Sequence, residues 1–86
     1  MSIRYFRCTA VIELQDGQTV KRHVYGRHID SESRQDTLDF VPQCARDLLF
    51  EVDDQFDAPI ECIEITGAQV ISDAQYYAAP RAARLG

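Results

Sequence analysis

No apolar run in the 86 residues approaches the roughly 18 needed to span a membrane, and the opening Met-Ser-Ile-Arg-Tyr-Phe-Arg lacks the continuous apolar stretch of a signal peptide. Both absences point to a cytoplasmic protein with no membrane partner. Glycine is missing between Gly26 and Gly67. That gap removes a calcium loop from the acid-rich middle of the chain, because such a loop needs a glycine for its sharp turn. Neither G-x-x-x-x-G-K nor G-x-G-x-x-G occurs, so nucleotide binding through a phosphate loop has no support.

Cysteine is scarce. Cys8, Cys44 and Cys62 are odd in number and each sits inside an apolar pattern, which reads as three small core hydrophobes in a reducing compartment. Burial there raises a thiol's pKa and quiets it, which counts against a nucleophile paired with His23 or His28. Those histidines are five apart, on opposite faces of an extended strand, so paired zinc ligands are lacking too. Asp53-Asp54-x-x-Asp57 spells the DDxxD of prenyl-transferring enzymes, but those are large helical bundles with a deep cavity that 86 residues cannot supply. No enzyme activity, cofactor or metal is therefore expected.

What is present is a soluble globular composition, 45% hydrophobic and 27% charged. A chain this short forms one domain, residues 1–86, and buries only about 60% of its unfolded surface. Its net charge of -5 is segregated. Residues 1–29 carry five bases and two acids (+3), residues 30–64 two bases and eleven acids (-9), and residues 65–86 two bases and one acid (+1).

Residues 3–14 alternate, with Phe6, Cys8, Ala10, Ile12 and Leu14 on one face, which is the pattern of a half-buried strand. Asp16-Gly17 supplies a turn into a second strand over 18–29. A two-residue loop would oppose Ile12 to Lys21 and put charge on the apolar face. A three-residue loop, Gln15-Asp16-Gly17 with a left-handed Gly17, opposes Ile12 to Val20 and Cys8 to Val24, and is preferred. Only Arg22, opposite Ala10, is then awkwardly placed, as a sheet edge would tolerate.

Leu38, Val41, Ala45, Leu48, Leu49, Val52 and Phe56 recur at three and four, the spacing of a helix with one buried face. Pro42 is accommodated if Asp39 is the N-cap, because a first-turn proline loses no hydrogen bond; a helix from Ser33 kinked at Pro42 is the alternative. Pro59 ends it. Residues 60–71 return to strand composition, with Ile63 and Ile65 inward, Glu64 and Thr66 outward and Gly67 at a bulge or sharp bend. A short helix capped by Ser72 or Asp73 and a frayed tail complete residues 73–86, leaving 1–72 as the core. The expected fold is α+β, an antiparallel sheet in ββαβ order with the long helix on one face and a short C-terminal helix. The other sheet face is left open, to solvent or to a second copy in a homodimer.

Two surfaces carry the functional candidates. Between Asp47 and Glu64 there are seven acids and no base, and Asp47, Glu51, Asp53, Asp54 and Asp57 crowd the end of the helix, where the backbone field disfavours them and no i+4 lysine relieves them. Such a surface matches a basic groove on another molecule, or simply solubilises the helix. The outer hairpin face instead shows Tyr5, Arg7, Lys21, His23, Tyr25 and Arg27, aromatic and basic residues interleaved as single-stranded RNA or DNA would require. Its plainer role is a solvated strand face, and an acidic pI near 4.8 opposes affinity for phosphates.

In its size, its cofactor-free α/β character and its segregated acidic charge, the chain resembles the small phage and mobile-element inhibitors of bacterial defence, anti-CRISPR proteins above all. That resemblance implies a non-enzymatic inhibitor in the cytoplasm of a bacterial host. Its partner would be a larger protein or ribonucleoprotein such as a CRISPR surveillance complex, kept from DNA by Asp47, Glu51, Asp53, Asp54 and Asp57. The alternative is a small RNA- or DNA-binding domain using Tyr5, Arg7, Lys21, Tyr25 and Arg27.

Overall fold

A computed structural model describes residues 2–85 as an α+β domain. Strands β1 (Ile3–Leu14) and β2 (Thr19–Ile29) form a hairpin, helix α1 (Arg34–Glu51) crosses over, β3 (Ile60–Ile71) returns, and helix α2 (Asp73–Ala78) follows. The sheet is antiparallel in the order β2-β1-β3, so β1 is central.

The hairpin adopts the register expected from its loop. Ile12 faces Val20, Cys8 faces Val24 and Arg22 faces Ala10. The Leu14 amide donates to Gln18 O at 2.9 Å, Gly17 sits at φ +90°, and Asp16 Oδ1 accepts from the Gln18 amide at 2.9 Å. β2 is an edge strand, and there the Arg22 guanidinium lies 4.7 Å from the centroid of the Phe56 ring.

On the other side of β1, Ile12 faces Ile63 and Ala10 faces Ile65. Gly67, at φ +64°, adds one residue to β3 where the register shifts between Arg7 and Thr9. The extra residue flips the inward parity from odd to even, so that Ala68 joins the core and Val70 opposes Phe6. Gly26 opposes Phe6, and a Cβ built on it would overlap the Phe6 ring, so only glycine lets that ring lie across β2. The core is Phe6, Cys8, Ala10, Ile12 and Leu14 with Val24 and Ile63, closed by Val41, Ala45 and Leu49 of α1.

The start of α1 differs from the preferred expectation. Asp39 is not the N-cap. Ser33 is, its hydroxyl accepting from the Asp36 amide at 3.0 Å, and Pro42 lies inside the helix. The extra turns are held by a buried polar chain that the sequence pattern conceals. Ser31 Oγ donates to Ser33 O at 2.9 Å, so the 2.6 Å bond to Thr37 Oγ1 must use the threonine's proton. With that proton spent, Thr37 accepts from His28 Nδ1 at 3.1 Å, which fixes the proton on that nitrogen. Arg4 Nη1 adds bonds to Ser31 O and Oγ at 2.9 and 3.1 Å, and Phe40 stacks on the His28 ring at 4.0 Å. Ser31 and Thr37 look like loop residues in sequence but are buried.

The C-terminal segment through Leu85 folds back on the domain, and the far face of the sheet is not fully open. Ser72 caps α2 reciprocally with Gln75, at 3.1 and 3.0 Å. Tyr76 packs on Tyr5 with ring centroids 4.7 Å apart, on the sheet face opposite α1. The chain then turns through a 3-10 segment (Arg81–Ala83) and rounds the free edge of β2. There Arg84 bridges Tyr25 in parallel, and the Leu85 amide donates to Tyr25 O at 3.1 Å while its side chain packs on the core. Among the described residues, no helix is long and apolar enough to cross a membrane.

Candidate functional site

The acidic residues line the solvent side of α1 and the turn after it. The helix closes at Val52, whose amide donates back to Leu49 O at 3.2 Å, and Asp53–Gln55 form a separate 3-10 turn. Asp53 and Asp54 therefore open a new turn beyond the helix terminus, and of the crowded acids Glu51 alone occupies the last α-helical position. All five of Asp47, Glu51, Asp53, Asp54 and Asp57 are exposed. Relief comes from glutamine. Gln35 Nε2 donates to Asp39 Oδ1 at 2.9 Å and Gln43 Nε2 to Asp47 Oδ1 at 2.8 Å, so amide and carboxylate alternate along one i+4 ridge.

Within this face sits Phe50, which was not singled out from sequence. Asp47, Phe50 and Glu51 follow at intervals of three and one, hence on one side of the helix, and Phe50 is 48% exposed. It is an apolar residue placed where the buried stripe does not reach, and that is the signal by which the pattern could have revealed it.

The hairpin candidates are brought to one face but not left free. Arg7 opposes Tyr25 and Tyr5 opposes Arg27, while Lys21 lies farther along, opposite Val11. The Tyr5 ring, however, is engaged by Tyr76 at 4.7 Å and by the edge of Tyr77 at 5.9 Å, and the hydrogen bond to Tyr77 and burial raise its pKa. A base cannot stack on a ring already covered. In its place the C-terminal segment builds a cleft of about 370 Å³ bounded by Arg27, Tyr76, Tyr77, Arg81 and Arg84. Two of its arginines come from the tail, and their i, i+3 spacing is the clue, since a 3-10 turn places such residues on one side.

The thiols divide. Burial pushes Cys8 up to about 11, and burial followed by the charges of Asp47 and Glu51 raises Cys44. Cys62 is exposed rather than a core residue. It opposes Glu13 on the outer face, donates to Glu13 Oε2 at 3.2 Å and is held protonated by that bond first. The cause is strand alternation: Cys62 is next to the inward Ile63 and so faces outward, and the register shift between Glu13 and Leu14 lies beyond it and brings Ile60, not Glu61, opposite Leu14. None of the three thiols is activated as a nucleophile. Among the described residues no group of three or more His, Cys, Asp or Glu side chains is arranged to hold a metal ion.

An apolar groove of about 410 Å³ between β2, Leu49 and the C-terminal turn completes the surface, with Val24 and Leu85 in its wall. Compared with protein-family profiles, with characterised proteins and with solved structures, the chain matches none.

Proposed function

We propose that the protein is a non-enzymatic binding module whose acidic α1 face docks on a basic, nucleic-acid-handling surface of a larger complex and competes with nucleic acid for it. The observation that carries this is Phe50, an exposed aromatic among Asp47, Glu51 and Asp54. A face that only solubilises a helix has no use for an exposed phenyl ring. An interface does, because aromatic anchors supply much of the binding energy while the charged rim steers the encounter and sets specificity.

Charge supports the same target, because seven acids and no base lie between Asp47 and Glu64, a sign that complements a basic surface. The resemblance to anti-CRISPR inhibitors supplies a concrete instance, a CRISPR surveillance complex in a bacterial cytoplasm.

The test is capture from nuclease-treated bacterial lysate on the immobilised protein, read by mass spectrometry. A nucleic-acid-handling complex is expected to be retained, and to be lost when Asp47, Glu51 and Asp54 are all changed to lysine. Phe50→Ala is expected to weaken retention about 30-fold, the scale of one anchor residue. Retention that survives charge reversal, or that requires intact nucleic acid, overturns the proposal.

A further inference from the structure

The cleft beneath α2 lies across the sheet from α1 and is built from parts far apart in sequence. Arg27 comes from β2, Tyr76 and Tyr77 from α2, Arg81 and Arg84 from the tail. The Arg84 guanidinium carbon lies 5.8 and 5.7 Å from the centroids of Tyr76 and Tyr77. Its Nε is buried and has no hydrogen-bond partner among the described residues. An unmet buried donor is uncommon in folded proteins and calls for an explanation. Arg81 is exposed beside it, and Tyr77 presents 59% of its surface to solvent.

We propose that this cleft binds the phosphate of a nucleotide, carried either by a free mononucleotide or by the end of a single strand. Guanidinium forks match phosphate oxygens bidentately, and a phosphate monoester brings close to two negative charges into a cleft walled by arginines. Because that Nε is buried, a phosphate oxygen reaches it only when the Arg84 guanidinium turns toward the cleft. The volume of about 370 Å³ falls at the small end of ligand sites, and the exposed Tyr77 ring offers a stacking surface for a base. With a net charge of -5 the chain gains nothing from general attraction to polyanions. Binding is therefore local, and for a strand the salt slope is shallow, near -1.4 for two phosphate contacts.

The chain has no tryptophan and four tyrosines, Tyr5, Tyr25, Tyr76 and Tyr77, all on this face, so tyrosine emission reports the cleft directly. Titration with inorganic phosphate, with uridine monophosphate and with a short oligouridylate bearing a 5′-phosphate is expected to saturate, most weakly for inorganic phosphate. The same oligomer with a 5′-hydroxyl separates the sources: preference for the phosphorylated end identifies a strand terminus, and free nucleotide binding as well as the strand identifies a nucleotide site. Arg81→Glu, a change at an exposed position, should weaken binding about tenfold or more with an unaltered circular dichroism spectrum. Arg84→Ala should do the same. The triple lysine variant of α1 should bind as the native protein does, which separates this cleft from the acidic docking face. No saturable response to any of the phosphate probes up to about 10 mM, or native-like binding by Arg81→Glu, overturns the proposal.

Discussion

The acidic side of α1 and the arginine-tyrosine face of the sheet hold opposite charges by opposite means. Asp39, Asp47 and Glu51 sit on one regular element, spaced by the helix repeat, and the first two are braced by neighbouring glutamines. The arginines of the far face converge from β1, β2 and the tail, and their arrangement depends on α2 packing over Tyr5 and on Leu85 reaching the core. A charge pattern within one helix survives local rearrangement. A pattern assembled from distant segments is lost as soon as the segment that assembles it detaches.

The most disruptive way to break this contrast is Tyr76→Ala. Tyr76 is 5% exposed and couples α2 to the sheet through Tyr5, so its loss should destabilise the fold by about 2–4 kcal/mol and release the tail. Hydrogen exchange should show the Leu85 amide unprotected while the amides of α1 keep the protection set by the remaining stability. Equal loss of protection in α1 and in the tail would show the two faces to be one cooperative unit.

Which parts of this were legible in the sequence follows the same division. The hairpin register was legible because only one loop length kept Lys21 off the apolar face, and the bulge at Gly67 because a glycine interrupts a strand-like run there. The acidic stripe within α1 was legible because it needs only the helix repeat, whereas Asp53, Asp54 and Asp57 fall beyond the helix end. The tail was not, because nothing local in Pro-Arg-Ala-Ala-Arg-Leu tells that Arg84 will pair with Tyr25 or Leu85 with the core. The start of α1 at Ser33 was legible only as the second choice, for a third reason. The favoured place of proline in a first turn is a statistical preference, and here Ser31, Thr37 and His28 supply buried hydrogen bonds that hold the earlier turns in place. A smaller prediction isolates that point. Ser33→Ala should cost about 1 kcal/mol and Asp39→Ala clearly less, as measured by urea denaturation, because the cap and not the ridge fixes the helix start. Equal costs would return the N-cap to Asp39.

The smallest expected effect sharpens the comparison by showing that the far face is itself two-signed. Its hairpin end carries Glu13 and Glu64 beside the exposed Cys62, whose pKa is raised first by the bond to Glu13 and then by burial and the surrounding charges. Removing that carboxylate stabilises the thiolate relative to the thiol, so Glu13→Ala must lower the pKa and enlarge the thiolate fraction at pH 8. Intrinsic nucleophilicity falls along with the pKa and offsets about half of the gain. A two- to fivefold faster reaction of Cys62 with an aromatic disulfide is the net expectation, while Cys8, pushed up to about 11 by burial, stays unreactive in the folded protein. An unchanged rate would mean that the carboxylates at this end are too well solvated to act on a neighbour 3.2 Å away. In that case the charge contrast across the sheet would rest on the arginine end alone.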